Sequence, residues 1–442
     1  MDVITLQGGR PLRGTVCASG SKNATLPIMA ATILASESVV LERAPNVADV
    51  DTLAFMLGHL GVEVKRHANR SLHLSTVDAS PERADFDLVG RMRASFCLLG
   101  PLLARRGRAV VALPGGCNLG PRPIDLHLNG LAALGANIRI VDNYVIAEAK
   151  SLHGVEMDLS GLRGPTVTGT ANILMAAVLA RGETTIRNAA REPEVVDLGE
   201  FLISLGARIE GLGTSTLHIR GVDELGGGRF EIIPDRIETG TLLLAGAVTS
   251  GDVIVDNCRP DHLDAALAVL DDAGVSVDSG TSATSGRHWI RAAGPWQPLS
   301  FHFSALPYPG VPTDLQAQFT ALAAIADGQS TIADFVFPQR FAHLDQFQRM
   351  GAQISLDRST AAIDGVDRLR GAEVTATDLR AGAALVLAGL SAQGQTTISQ
   401  PHHLARGYEC LTEKLRSLGA DIEISSAADS QPEQSDFAAA AA

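Results

Sequence analysis

Almost wholly apolar stretches of helical length recur along the chain, each behind a short polar opening. Gly20-Ser21-Lys22-Asn23 precedes Ala24 to Leu34, Arg91-Met92-Arg93 precedes Ala94 to Leu103, and Thr168-Gly169-Thr170 precedes Ala171 to Leu179. In the second half the openings are Glu238-Thr239-Gly240-Thr241, Thr313-Asp314 and Thr377-Asp378-Leu379-Arg380. A helix that is apolar all round must be surrounded by protein, so these six are expected inside, with sheets outside them. A second signal alternates with the first. Leu60-Gly61-Val62, Leu134-Gly135-Ala136, Leu205-Gly206-Ala207, Ala273-Gly274-Val275, Met350-Gly351-Ala352 and Leu418-Gly419-Ala420 each end a helical pattern and lead into alternating, strand-like residues.

These stops lie roughly 70 residues apart, too far for a solenoid repeat, so each unit holds several elements. Six units imply an α/β chain of two inside-out α/β barrel domains, three units in each, with helices buried and sheets outermost. The expected limits are 22–234 for the first domain and 1–21 with 235–425 for the second, hinged at Ile233-Pro234-Asp235-Arg236. The opening strands, Val3 to Leu6 and Gly14 to Cys17, are placed to complete the sheet of the second domain. Residues 426–442, ending in polyalanine, read as a disordered tail.

Composition narrows the class. With 442 residues, 45% hydrophobic and 4% aromatic, the chain is long enough for two cores. A formal net charge of −13 argues against nucleic acid and anionic membrane as partners, so an anion site must be a local basic pocket. Apolar runs such as Ile173 to Ala180 fall short of a membrane span. Met1-Asp2-Val3-Ile4 lacks the charged start of a secretory signal, which makes the cytoplasm the expected location. Five scattered cysteines without a CxxC pair point to neither zinc nor a disulfide framework.

One cysteine stands apart. Pro114-Gly115-Gly116-Cys117-Asn118-Leu119-Gly120-Pro121-Arg122-Pro123 sets a thiol in a glycine-rich loop, with an arginine five residues on and Asp125 and His127 behind it. Arg122 offers a planar fork of donors to carboxylate or phosphate and favours the thiolate of a nearby cysteine. The substrate is then expected to be anionic. A buried, inert Cys117 in a surface loop is the plain alternative. Free N–H groups at the six helix openings would add to an anion pocket if they cluster. Capping by Ser, Thr and Asp accounts for part of those openings, but not for Lys22, Arg93 and Arg380.

From about Ile4 to about Ile424 the ordered motifs resemble the enolpyruvyl transferases, in the branch that builds on UDP-N-acetylglucosamine. The motifs are Ser21-Lys22-Asn23-Ala24, Met92-Arg93-Ala94-Ser95, the Cys117 loop continuing Arg122-Pro123-Ile124-Asp125-Leu126-His127, and Ala190-Arg191-Glu192-Pro193-Glu194. Further on come Pro234-Asp235-Arg236-Ile237-Glu238-Thr239-Gly240, Pro312-Thr313-Asp314-Leu315-Gln316, Thr377-Asp378-Leu379-Arg380 and Arg406-Gly407-Tyr408-Glu409. The resemblance implies two inside-out domains and transfer of the enolpyruvyl group of phosphoenolpyruvate to a sugar hydroxyl, with no metal and no organic cofactor. It assigns Lys22, Arg122 and Arg406 to the donor's anionic groups, Cys117 to proton donation and a covalent adduct, and Asp314 to proton removal. For the nucleotide sugar it implies Asn23, Arg93, Arg122, Pro123, Ile124, Asp125, Leu126, Thr166, Val167, Asp314 and Val336. Asp49, Asp378, Arg380 and His403 would shape or close the cleft.

Three alternatives share much of this pattern. Ser21 makes Gly-Ser-Lys resemble the shikimate branch of the same family, against which stand Asn23 and the Cys117 loop. The others are a transferase using another uridine nucleotide and a silent UDP-sugar-binding paralogue. Ser21, Asn118, Gly164 and Ala405 depart from the usual pattern, chiefly where the nucleotide would lie.

Overall fold

A computed structural model describes residues 2–84, 92–113, 124–162 and 164–426, except the side chains of Arg93 and Ser426. Cys117, Arg122 and Pro123 lie outside the described residues. So does the tail, apart from Ser426, which ends the strand Asp421–Ser426.

Among the described residues six four-stranded sheets repeat one plan. In the sheet of the first unit, Gly228–Glu231 runs parallel to Val39–Glu42, which pairs antiparallel with Leu72–Thr76, and that strand with Val62–Arg66. The same order of one parallel and two antiparallel pairings recurs through to the last sheet, where Glu373–Thr375, Gln395–Ser399, Asp2–Gln7 and Asp421–Ser426 lie side by side. The six stop glycines, Gly61, Gly135, Gly206, Gly274, Gly351 and Gly419, all have φ between 76° and 108°. Only glycine takes that conformation without steric cost, so the chain turns from helix into strand there.

Each unit also contributes a central helix: Lys22–Ala31, Leu99–Arg106, Val167–Ala177, Arg236–Val248, Gln316–Ala323 and Leu379–Ser391. Every residue of the fourth and fifth is buried, as expected of helices without a polar face. The second departs from expectation. A 3-10 turn occupies Arg93–Leu98 and the α-helix begins at Leu99. Pro101 has no N–H to bond back into a preceding turn, which confines it to the first turn of a regular helix. Ser21, Thr166, Asp235 and Asp378 cap the first, third, fourth and sixth helices through their side chains, each worth about 1 kcal/mol.

Two hydrophobic cores result. One gathers residues from Ala24 to Ile232, the other Ile4 to Ala18 with Ile237 to Ile422. The opening strands enter two sheets rather than one: Asp2–Gln7 fills the interior of the last sheet, while Arg13–Cys17 lies parallel at the edge beside Asp252–Cys258. Where the chain passes between cores the two connections pair with each other, Ser21 N–H donating to Ile233 (2.7 Å) and Asp235 N–H to Ser19 (2.8 Å). Asp235 joins them further: one oxygen caps the fourth helix, and the other accepts the Lys22 amide at 3.3 Å. No helix among the described residues is long and apolar enough to cross a membrane.

Candidate active site

The central helices run inward with their N-terminal ends toward the junction of the cores. A cavity of about 400 Å³ lies there, lined from all six units: by the helix starts Lys22 and Asn23, Val167 and Thr168, Arg236 and Ile237, and Leu379 and Arg380, and by Met92, Ala94, Thr313 and Asp314 from the 3-10 turns that precede the second and fifth helices. Unsatisfied N–H groups and aligned peptide dipoles make each such end weakly positive, so their convergence favours an anion in a chain that is acidic overall.

Two carboxylates organise the cations. Asp49, buried at the start of the outer helix Ala48–His59, accepts Lys22 Nζ at 3.3 Å and Arg406 Nε at 2.9 Å, one cation from each half of the molecule. Asp314 accepts Arg340 Nη1 at 2.6 Å on one oxygen, and Arg380 Nη2 at 2.8 Å and Asn23 Nδ2 at 3.4 Å on the other. Burial alone would raise the Asp314 carboxyl. The guanidinium groups of Arg380 and Arg340, with Lys22 nearby, outweigh it and hold Asp314 well below the usual carboxylate range. Asp314 is not the N-cap of its helix, because its carboxylate faces these side chains. The backbone beneath it is fixed instead by Gln318 Nε2, which donates to the Asp314 carbonyl at 2.9 Å. Thr313 Oγ1 donates to buried Asp334 at 2.5 Å, and Asp334 also accepts the amides of Val336 and Phe337.

A third ion pair spans the junction on another wall. Arg236 meets Glu194 through two bonds of 2.9 and 3.2 Å, with both side chains under 10% exposed. Burial opposes the charge on Arg236, but Glu194 and Glu192 more than compensate and raise its pKa.

Of the residues singled out in the sequence, Lys22, Asn23, Asp49, Val167, Asp314, Val336, Asp378, Arg380 and Arg406 line this one cavity. Thr166 is the cap just outside it, and Asp378 serves both as cap and as lining. Ile124, Asp125 and Leu126, at the start of the helix Asp125–Ala133, do not line it, nor does His403. Arg93 opens the 3-10 turn beside it. Sequence reasoning missed Arg340, whose only signal is a cation amid Phe337-Pro338-Gln339-Arg340-Phe341. Glu194 and Arg236 lie in separate sequence motifs, and nothing in the sequence pairs them.

A family profile described as EPSP synthase (3-phosphoshikimate 1-carboxyvinyltransferase) matches residues 6–415. The chain belongs to the enolpyruvyl transferase family. Among its curated relatives, a UDP-N-acetylglucosamine 1-carboxyvinyltransferase of Halorhodospira halophila is 46% identical over 96% of this chain and 99% of its own length. One from Geobacter metallireducens is 47% identical with the same coverage. The solved enolpyruvyl transferase NikO from Streptomyces tendae superimposes with a TM-score of 0.85 at 27% identity, covering 96% of this chain and 98% of that one. EPSP synthase from Acinetobacter baumannii shares the fold, with a TM-score of 0.75 at 18% identity over 96% of this chain and all of that one. As an enolpyruvyl transferase the chain is an enzyme of the transferase class, with the inside-out α/β fold of its neighbours.

Proposed function

We propose that this enzyme transfers the enolpyruvyl group of phosphoenolpyruvate to the 3′-hydroxyl of UDP-N-acetylglucosamine and releases phosphate. Full-length relatives of that name at 46–47% identity support the choice of acceptor. The observation that carries the chemistry is the convergence of all six units, four of them through helix N-termini and two through 3-10 turns, on a cavity where ionised Asp314 meets Asn23 across the junction.

The donor brings a phosphate and a carboxylate into a partly desolvated cleft. Lys22 and Arg406, held ready by Asp49, supply charge for one anionic group, with Arg122 joining them from the loop. Arg340 and Arg380 flank the position beside Asp314 where a second anion would find donors already aligned. Asp314 takes the proton from the sugar hydroxyl as its oxygen bonds to the central carbon of the donor, while Cys117 delivers a proton to the methylene carbon. A methyl proton then returns to the Cys117 thiolate, restoring the double bond as the C–O bond breaks and phosphate leaves. Asn23, Arg93, Arg122 to Leu126, Thr166, Val167 and Val336 are assigned to the nucleotide sugar, while Asp378 and Arg380 close the cleft around it.

On this reading the enzyme works in the cytoplasm at the first committed step of peptidoglycan synthesis, and fosfomycin alkylates Cys117. No metal or organic cofactor takes part. The domain limits are those given above, supported by the separation of the two cores. Phosphate release decides the acceptor. Phosphoenolpyruvate with UDP-N-acetylglucosamine should release it rapidly, whereas shikimate 3-phosphate or UMP should not. Release with either of those alone would overturn the assignment.

A further inference from the structure

On one wall of the cavity, lined by Glu192, Leu306, Pro307, Tyr308 and Gly310, a loop of the second half is gripped by the first. The loop Leu306 to Gly310 joins the strand His302–Ala305 to the Thr313–Asp314 turn. Tyr308 at its tip is held through both of its backbone polar groups by adjacent side chains of the other half. Its amide donates to Glu192 Oε1 at 3.3 Å, and its carbonyl accepts Arg191 Nη2 at 3.2 Å. On the other side its ring lies 5.7 Å from the Arg236 guanidinium and its hydroxyl donates to the Asp261 carbonyl at 3.1 Å. Tyr308 therefore straddles the junction, backbone to one half and side chain to the other.

The grip reaches Asp314 through a short, closed path. Gly310 N–H bonds back to Pro307 at 3.0 Å and Leu306 N–H to Val311 at 3.1 Å, so the loop moves as one piece. Val311 leads directly into Pro312 and the Thr313–Leu315 turn, where the Leu315 amide closes on Pro312 at 2.9 Å. Glu192 is only 8% exposed, and its second oxygen has no hydrogen-bond partner among the described residues. A buried acceptor left bare is unfavourable, and the Tyr308 amide satisfies one of the two Glu192 oxygens.

We propose that Glu192 and Arg191 are positioning residues for the transfer reaction: by clamping the Tyr308 backbone they hold the two halves together and set the place of Asp314. This rests on the reading of Asp314 as the group that takes the hydroxyl proton. Hydrogen exchange and steady-state kinetics on Glu192→Ala and Glu192→Gln test it. In Glu192→Ala the Tyr308 and Leu315 amides should exchange about tenfold faster or more, and kcat should fall about tenfold, more than the change in KM for phosphoenolpyruvate. Glu192→Gln keeps a carbonyl oxygen for the Tyr308 amide, so it should restore protection and bring kcat to within about threefold of wild type. Wild-type exchange at Tyr308 in Glu192→Ala would overturn the clamp. Equal loss in both variants would overturn it too, by showing that the carboxylate itself meets substrate. Should E192A not fold, Arg191→Ala, at an exposed position, should still raise exchange at Tyr308 about threefold. The exchange readout stands whichever acceptor the enzyme uses, whereas absence of turnover in wild type would sink the functional reading alone.

Discussion

The junction holds two arginine–carboxylate clusters of opposite character. Glu194 and Arg236 form a closed pair, two bonds between two side chains that are each under 10% exposed. Both clusters line the cavity, but Asp314 faces two arginines and an asparagine and is 24% exposed. The chemistry is the same and the accessibility differs. A saturated, enclosed pair ties one half to the other, whereas a carboxylate with surplus donors and an open side can exchange partners when a ligand arrives. Lys22, Asp49 and Arg406 form a further cluster on the cavity wall, where one buried carboxylate accepts one cation from each half, each on its own oxygen.

Substitutions that conserve shape should pull these roles apart. Asp314→Asn is expected to lower kcat by roughly 100- to 10,000-fold, the range for loss of a positioned acid–base group, together with some loss of stability because Arg340 and Arg380 are buried beside it. Glu194→Gln should act chiefly on stability. Leaving Arg236 buried without its full partner is expected to cost about 3 kcal/mol in urea unfolding, with a smaller effect on kcat. A stability loss in Asp314→Asn larger than in Glu194→Gln would erase the distinction.

A smaller effect separates a third carboxylate from both. Asp197, 2% exposed beside the connection between halves, accepts the Ile233 amide at 3.4 Å. Burial pushes its pKa up to about 8, helped by Glu200 and Glu194. The folded state therefore holds a proton that the unfolded state releases near pH 4, and this group makes the protein progressively less stable between about pH 4 and pH 8. Asp197→Asn should flatten that part of the profile and raise the melting temperature more at pH 8 than at pH 5. An equal shift at both values would show that Asp197 is ionised throughout.

Much of the architecture was legible because it rests on local rules. The six stop glycines and six apolar helices mark the units in one dimension, and each glycine has the positive φ its position requires. Lys22, Arg93 and Arg380 were legible as cations where capping does not call for them, and Arg406 only through the family resemblance. Arg340 was not, since what makes it important is Asp314, 26 residues away in sequence and 2.6 Å away in space. The pairing of Glu194 with Arg236, and the grip of Arg191 and Glu192 on Tyr308, span 42 and more than 100 residues and carry no periodic signal. Thr313-Asp314 by itself reads as a helix cap, and only the resemblance assigns Asp314 to proton removal. The direction of its carboxylate, toward Arg340, Arg380 and Asn23, rules out the cap.

The account stands on the cations gathered at the converging helix ends, and Lys22 tests them most directly. Phosphate release from phosphoenolpyruvate and UDP-N-acetylglucosamine by purified Lys22→Ala should be undetectable while its melting temperature stays within about 3 °C of wild type, as for a substitution outside the core. Release at the wild-type rate by the folded variant would contradict it.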